Sequence, residues 1–151
     1  MKNIIIALAF TLAAMIPAFA SEEAEVMKTV NQFVDGFNQG DLKAASAACA
    51  DQMSIIDEFS PHEWHGAGAF TKWVNDFDAD ARKNETTDGF VTLLKPRHVD
   101  VNGNHAYVVI PANYAFKKQG KAMMETGSII TIVLQKDPAG WRITAWAWAK
   151  N

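Results

Sequence analysis

Apolar positions recur at helical spacing in the first half of the chain and at strand spacing in the second. Val26, Val30, Phe33, Val34 and Phe37 fall on one face of a helix predicted from about Glu22 to Gln39. Gly40 ends that helix, and Asp41 is placed to cap a second one from Leu42 to about Ala50. Met53 to Phe59 predicts a strand, and residues 60–66 a loop. Phe70, Val74, Phe77 and Ala81, with Trp73 beside them, predict a third helix from about Ala67 to Asn84. After the polar stretch Glu85–Gly89 the period falls from 3.6 to 2. Strands are expected over Phe90–Val101, His105–Lys117, Lys121–Gln135 and Trp141–Ala149. Asn102-Gly103 is a strong two-residue hairpin turn, because both residues tolerate positive φ.

Helices first and a meander after them define an α+β fold, with the helices packed on one face of the sheet. Strands of a dozen residues twist and curl. A curved antiparallel sheet closed by three N-terminal helices is a cone with an open mouth. Simple alternation puts Trp141, Ile143, Ala145 and Ala147 on one face of the last strand, and Arg142, Thr144, Trp146 and Trp148 on the other. Apolar bulk on both faces implies that both are covered, one lining the cone and the other meeting a second subunit.

The N-terminus changes the picture. Lys2, the apolar run Ile4–Ile16, the helix breaker Pro17 and the small residues of Ala18-Phe19-Ala20 together form a signal-peptide pattern. The run of thirteen residues is short for a span of about 30 Å of hydrocarbon. Residues 1–20 are therefore expected to be removed between Ala20 and Ser21, giving a periplasmic or secreted location outside the cytoplasm. Residues 21–151 form one domain with no membrane attachment. They carry 13 Lys and Arg against 17 Asp and Glu. That balance and the lack of a basic stripe argue against nucleic-acid binding. Cys49, the single cysteine, lies among small residues and reads as a buried small hydrophobe.

Four segments carry a resemblance. They are Phe33-x3-Phe37-x2-Gly40-Asp41, the stretch Ala50-Asp51 to Asp57, Gly66 leading into the third helix, and Gly140-Trp141-Arg142-Ile143. Their arrangement resembles the nuclear transport factor two superfamily, which includes ketosteroid isomerases, scytalone dehydratase and SnoaL-like polyketide cyclases. The likeness covers essentially all of residues 21–151 and implies the cone fold. It also implies a general-base role for Asp57, which falls on the isomerases' base position. The isomerases' oxyanion tyrosine corresponds to Phe33, and their protonated aspartic acid to the Thr131–Val133 region, which has no carboxylate. Losing one oxyanion donor typically costs ~10²–10³ in rate, so steroid isomerisation is not expected.

Asp57 shares a strand face with Met53, Ile55 and Phe59, and burial there would raise its pKa toward a useful base value. The dehydratase branch pairs an Asp with histidines, so His98 is carried as a partner for Asp57. His65, in the loop after it, is a second acid–base candidate. His62 and His65 lack the helical spacing of a metal pair, and neither a metal nor a cofactor is expected. Phe33, Phe37, Trp73, Phe77, Trp146 and Trp148 would wall an apolar ligand chamber, with Trp64 as a lid and the Tyr114 hydroxyl aimed inward. Glu125 must reach solvent or find a basic partner. Two functions follow. One is a small-hydrophobe-binding domain running cofactor-free lyase or isomerase chemistry. The other is a non-catalytic binding or dimerisation module whose pocket is filled, with Trp146 occupying the substrate's place.

Overall fold

The structure is a computed structural model that describes residues 18–151. Of the segment expected to be a signal peptide, residues 1–17 lie outside the described residues. Three helices, α1 (Ala18–Gln39), α2 (Leu42–Ala47) and α3 (Ala69–Lys83), pack against one face of a seven-stranded sheet. The strands are β1 (Cys49–Ile56), β2 (Glu63–Ala67), β3 (Thr86–Leu93), β4 (His98–Asn102), β5 (His105–Lys118), β6 (Lys121–Asp137) and β7 (Gly140–Ala149). Their order is β2-β1-β7-β6-β5-β3, with β4 also pairing β5. Every pairing is antiparallel except β1 with β7, so the sheet is mixed. It curves around the helices as the expected α+β cone. No helix among the described residues is long and apolar enough to cross a membrane.

The helical spacing of α1 translates directly into burial. Val26, Val30, Phe33 and Val34 are all buried, and they meet Ile55, Ile132, Leu134 and Ile143 from the sheet in one core. Gly40 leaves α1 at φ +70°, and the Asp41 side chain accepts a hydrogen bond from Ala44 N at 2.9 Å. Gly36 lets the two helices touch. A Cβ there would lie 2.6 Å from the Ala45 backbone nitrogen.

Three boundaries differ from expectation. The second helix stops at Ala47 because the chain from Cys49 is taken into the sheet, where Ile143 N donates to Ala48 O. Residues 63–67 form β2 against β1 rather than loop. The strand expected over Phe90–Val101 is two strands separated at Leu94–Arg97, where Pro96 cannot continue a ladder. The long β5 serves both, pairing β4 with its first half and β3 with its second.

Three ladder irregularities decide which side chains enter the cone. In β7, Ile143 pairs Leu134 and Ala145 pairs Val133, so Thr144 is an extra residue. This reverses the alternation beyond it and corrects the expected face assignment. Trp141, Ile143, Trp146 and Trp148 all pack inward, while Ala145 and Ala147 lie on the outer face. In β6, Thr126 and Gly127 oppose Asn113 alone, with Gly127 at φ +81°. Glu125 thereby shares the inner face with buried Ser128. In β3, Asp88-Gly89 oppose Phe116. A Cβ on Gly89 would collide with the Tyr114 hydroxyl, so the bare backbone there admits the tyrosine ring.

Candidate functional site

The inner face of the sheet and the helices enclose a cavity of about 590 Å³, within the usual range for small-molecule sites. Its buried wall comes from α1 (Phe33, Val34), α3 (Trp73), β6 (Ile130) and β7 (Trp146). Phe37, Phe59, Phe77, Phe116 and Trp148 extend the aromatic lining. The rings are in mutual contact. Trp73 stands edge-on to Trp146 at 5.0 Å between centroids, Phe33 lies 6.0 Å from Trp146, and Phe37 is 5.6 Å from Trp73.

Asp57 follows the last residue of β1, on the face that already carries buried Met53 and Ile55. Its two oxygens are held by neutral donors. Trp73 Nε1 donates to Oδ2 at 2.8 Å, and the Glu58 backbone N–H donates to Oδ1 at 2.7 Å. No ion pair reaches Asp57 among the described residues. Burial in this apolar wall pushes its pKa up to about 6. The Trp73 and Glu58 hydrogen bonds oppose the rise, and the nearby Glu58 and Glu125 charges add to it.

Tyr114 lines the same cavity and pairs across the ladder with Glu125. Burial, reinforced by the charges of Asp57, Glu125 and Glu58, pushes its hydroxyl up to about 12, so it stays a hydrogen-bond donor at neutral pH. Glu125 sits in a network that the sequence reading did not assemble. It accepts from Ser128 Oγ at 2.7 Å and Trp148 Nε1 at 3.2 Å, and it pairs with Lys150 Nζ at 2.9 Å. Lys150 also holds Glu58 at 2.7 Å. Burial pushes Glu125 upward, but these hydrogen bonds outweigh it and hold its pKa below the usual value. The two carboxylates likewise raise the pKa of Lys150.

The other expected site residues separate into two groups. Phe33, Phe37, Trp73, Phe77, Tyr114 and Trp146 all line the cavity with Asp57. His98, His65 and Trp64 do not. His98 is exposed on β4 opposite Val109, with its ring 6.1 Å from Tyr107, so the structure forms no Asp57–His98 dyad. His65 is exposed on β2, bonded to Ser54 Oγ and Glu63, on the far face of the sheet from Met53 and Ile55. Trp64 is no lid. It is buried between β2 and α3, donates to Asp76 Oδ2 at 2.8 Å and packs on Phe59. Cys49 is buried, and burial pushes its thiol up to about 12, which keeps it unreactive near neutrality.

Glu58 and Lys150 were missed, whereas Glu125 and Trp148 were named without the network that joins them. A glycine inside a strand marks a bulge, and Gly127, two residues after Glu125, was the available signal for the inward turn of that carboxylate.

The SnoaL-like domain family matches residues 26–147 of the sequence. The chain belongs to the SnoaL-like domain family. Solved structures support the same architecture. An NTF2-like superfamily protein from Salmonella enterica serovar Typhimurium is similar at TM-score 0.72 and 16% identity, over 87% of this chain and 92% of that one. A ketosteroid isomerase-like protein from Erwinia carotovora atroseptica is similar at TM-score 0.66 and 15% identity, over 85% and 95%. The CaMKII hub of S. rosetta is similar at TM-score 0.69 and 19% identity, again over 85% and 95%. At these identities the likeness to the solved structures is one of fold. No curated protein matches the sequence. The SnoaL-like cone thus supplies the architecture, and the chemistry has to be argued from the cavity.

Proposed function

We propose that this SnoaL-like chain is an exported small-ligand-binding domain that runs cofactor-free proton-transfer chemistry of the lyase or isomerase kind, with Asp57 as general base. The observation that carries this reading is the Asp57 carboxylate in the wall of a 590 Å³ aromatic cavity, with a pKa near 6. A base is most effective when its pKa lies close to the working pH. Trp73 and the Glu58 N–H fix both carboxylate oxygens, so the group is oriented before a ligand arrives. Of the three groups expected to orient or donate a proton, His98, His65 and Tyr114, this reading keeps Tyr114, whose hydroxyl remains protonated beside the same space. The filled-pocket alternative is disfavoured by the cavity itself, since Trp146 lies in its wall and leaves room for a ligand.

The test is exchange of carbon-bound protons in D₂O, followed by NMR. It uses a panel of small ketones, lactones and iminium salts with the wild-type protein and Asp57→Asn. The reading predicts wild-type-catalysed exchange of at least one carbon acid, rising with pH to a plateau with a midpoint near 6. Exchange should fall by ~10²-fold or more in Asp57→Asn. Equal rates for the two proteins across the whole panel would contradict it.

A homodimer through the outer sheet face is part of the same proposal. Two rungs cross four strands there, Ser54–Ala145–Val133–Tyr107 and Ile56–Ala147–Thr131–Val109. Ile56, Tyr107 and Val133 on these rungs are exposed.

A further inference from the structure

The cavity wall combines aromatic rings with an excess of negative charge. Nine of its side chains are aromatic, and its ionisable groups are four carboxylates (Asp57, Glu58, Asp80 and Glu125) against two lysines, Lys118 and Lys150. Lys150 is already engaged by Glu58 and Glu125. Asp80 is bonded to Asn84 Nδ2 at 3.0 Å. Among the described residues, the Asp57 carboxylate has only the neutral indole of Trp73 and a backbone N–H as partners. A carboxylate set into an apolar wall without a cation is costly, and charges in such places are ordinarily paired. Here the protein supplies the desolvated anion and the aromatic faces and leaves the cation out.

We infer that the ligand of this cavity is a small organic cation with an apolar body, an amine, quaternary ammonium or iminium ion, seated with its charge toward Asp57 and its body among the aromatic rings. Ring faces attract cations most strongly where water is excluded, and the carboxylate adds a full charge at the same place. Small organic anions meet the opposite field. The inference rests on the reading of the cavity as a ligand site and names the chemical class it takes.

Cationic charge also answers a difficulty in the chemistry. Phe33 and the Thr131–Val133 segment offer no side-chain donor or acid for an enolate oxygen at the positions where the resembling isomerases carry them. A cationic carbon acid needs none. When Asp57 takes a proton from the carbon next to an iminium group, the C–H bond breaks and an O–H bond forms on the carboxylate. The C–H electron pair becomes a C=C bond, and the C=N π pair moves onto nitrogen, giving a neutral enamine. From a β,γ-unsaturated iminium ion the product is a neutral dienamine, and return of the proton from Asp57 to its γ-carbon, with the C=C pairs shifting by one position and the nitrogen pair re-forming C=N, completes an isomerisation to the conjugated iminium ion. No oxidant or further reactant is consumed.

Three phenyl-bearing probes test the inference: phenyltrimethylammonium, its neutral isostere tert-butylbenzene, and the anion 4-phenylbutyrate. Binding is followed by quenching of the tryptophan fluorescence, since Trp73, Trp146 and Trp148 line the cavity. At pH 8 the cation should bind at least tenfold more tightly than the isostere, and the anion should be weakest. The cation's advantage should shrink at pH 5 and in Asp57→Asn, with the melting temperature of each sample confirming that it is folded. The other charged groups facing this space are Glu58, Asp80, Glu125, Lys118 and Lys150, and Asp57→Asn leaves all five in place, so the part of the pH effect that this variant removes belongs to Asp57. Neutral or anionic probes binding as tightly as the cation at pH 8 would overturn the inference. So would the absence of cation binding, or cation binding unchanged in Asp57→Asn. The proton-transfer reading fails separately, through equal exchange rates of the wild-type protein and Asp57→Asn across the whole panel, iminium salts included.

Discussion

At the scale of single residues, Asp57 holds the account together. Its place on the inner face of the first strand was legible, because Met53, Ile55 and Asp57 share the period of 2, and the resemblance marked the same position. The histidines were not legible. His65 was expected in the loop after the Asp57 strand and His98 on a later strand facing it, but strand alternation and the break at Pro96 put both outside the cone. Glu125 was seen as a carboxylate needing a basic partner, and Lys150 is that partner, reached across the sheet rather than along the sequence. Because burial dominates the Asp57 environment, its carboxyl should titrate with a midpoint near 6 in ¹³C NMR of labelled protein, well above the ordinary aspartate value. A midpoint near 4 would mean that the group is solvated.

At the scale of elements, the core helices and long strands followed from periodicity, and the misread features were those set by register. An extra residue at Thr144 is invisible to alternation, yet it brings Trp146 and Trp148 to the same face as Trp141 and Ile143. Likewise the edge of β3 is covered by Asn38 of α1, whose side chain both donates to Val91 O and accepts from Val91 N at 2.8 Å. No local pattern announces a pairing over 53 residues. The contact of α1 with α2 makes a sharper prediction. Gly36 faces the Ala45 backbone, which cannot yield as a flexible side chain would. Gly36→Ala should therefore destabilise the fold by about 2–4 kcal/mol in urea unfolding, despite the better helix propensity of alanine. A neutral or stabilising effect would show that the helices are not in contact as described.

At the scale of the whole molecule, the two faces of the sheet have different work. The inner face lines the ligand cavity. The outer face carries the Tyr107–Val133 and Ile56–Ala147 rungs, and the homodimer proposed on it predicts a mass near twice that of the chain in light scattering. Val133→Lys, which puts a charge at the centre of that face, should shift the protein to monomer. A wild-type monomer at micromolar concentration would remove this proposal without touching the cavity.

The account depends most on an uncompensated Asp57 carboxylate inside the cone, and global stability reports on it. An acid whose folded pKa is raised contributes stability that is complete below its unfolded pKa and lost as pH rises through its folded pKa. For Asp57 that window runs from about pH 4 to about pH 6. The decisive measurement is urea unfolding of the wild-type protein and Asp57→Asn across pH 4 to 8. Asparagine removes the buried charge but also loses one acceptor for the Trp73 and Glu58 donors, so it should be more stable by about 1–2 kcal/mol at pH 8. The advantage should vanish by pH 4. A wild-type protein at least as stable as Asp57→Asn at pH 8 would contradict the account.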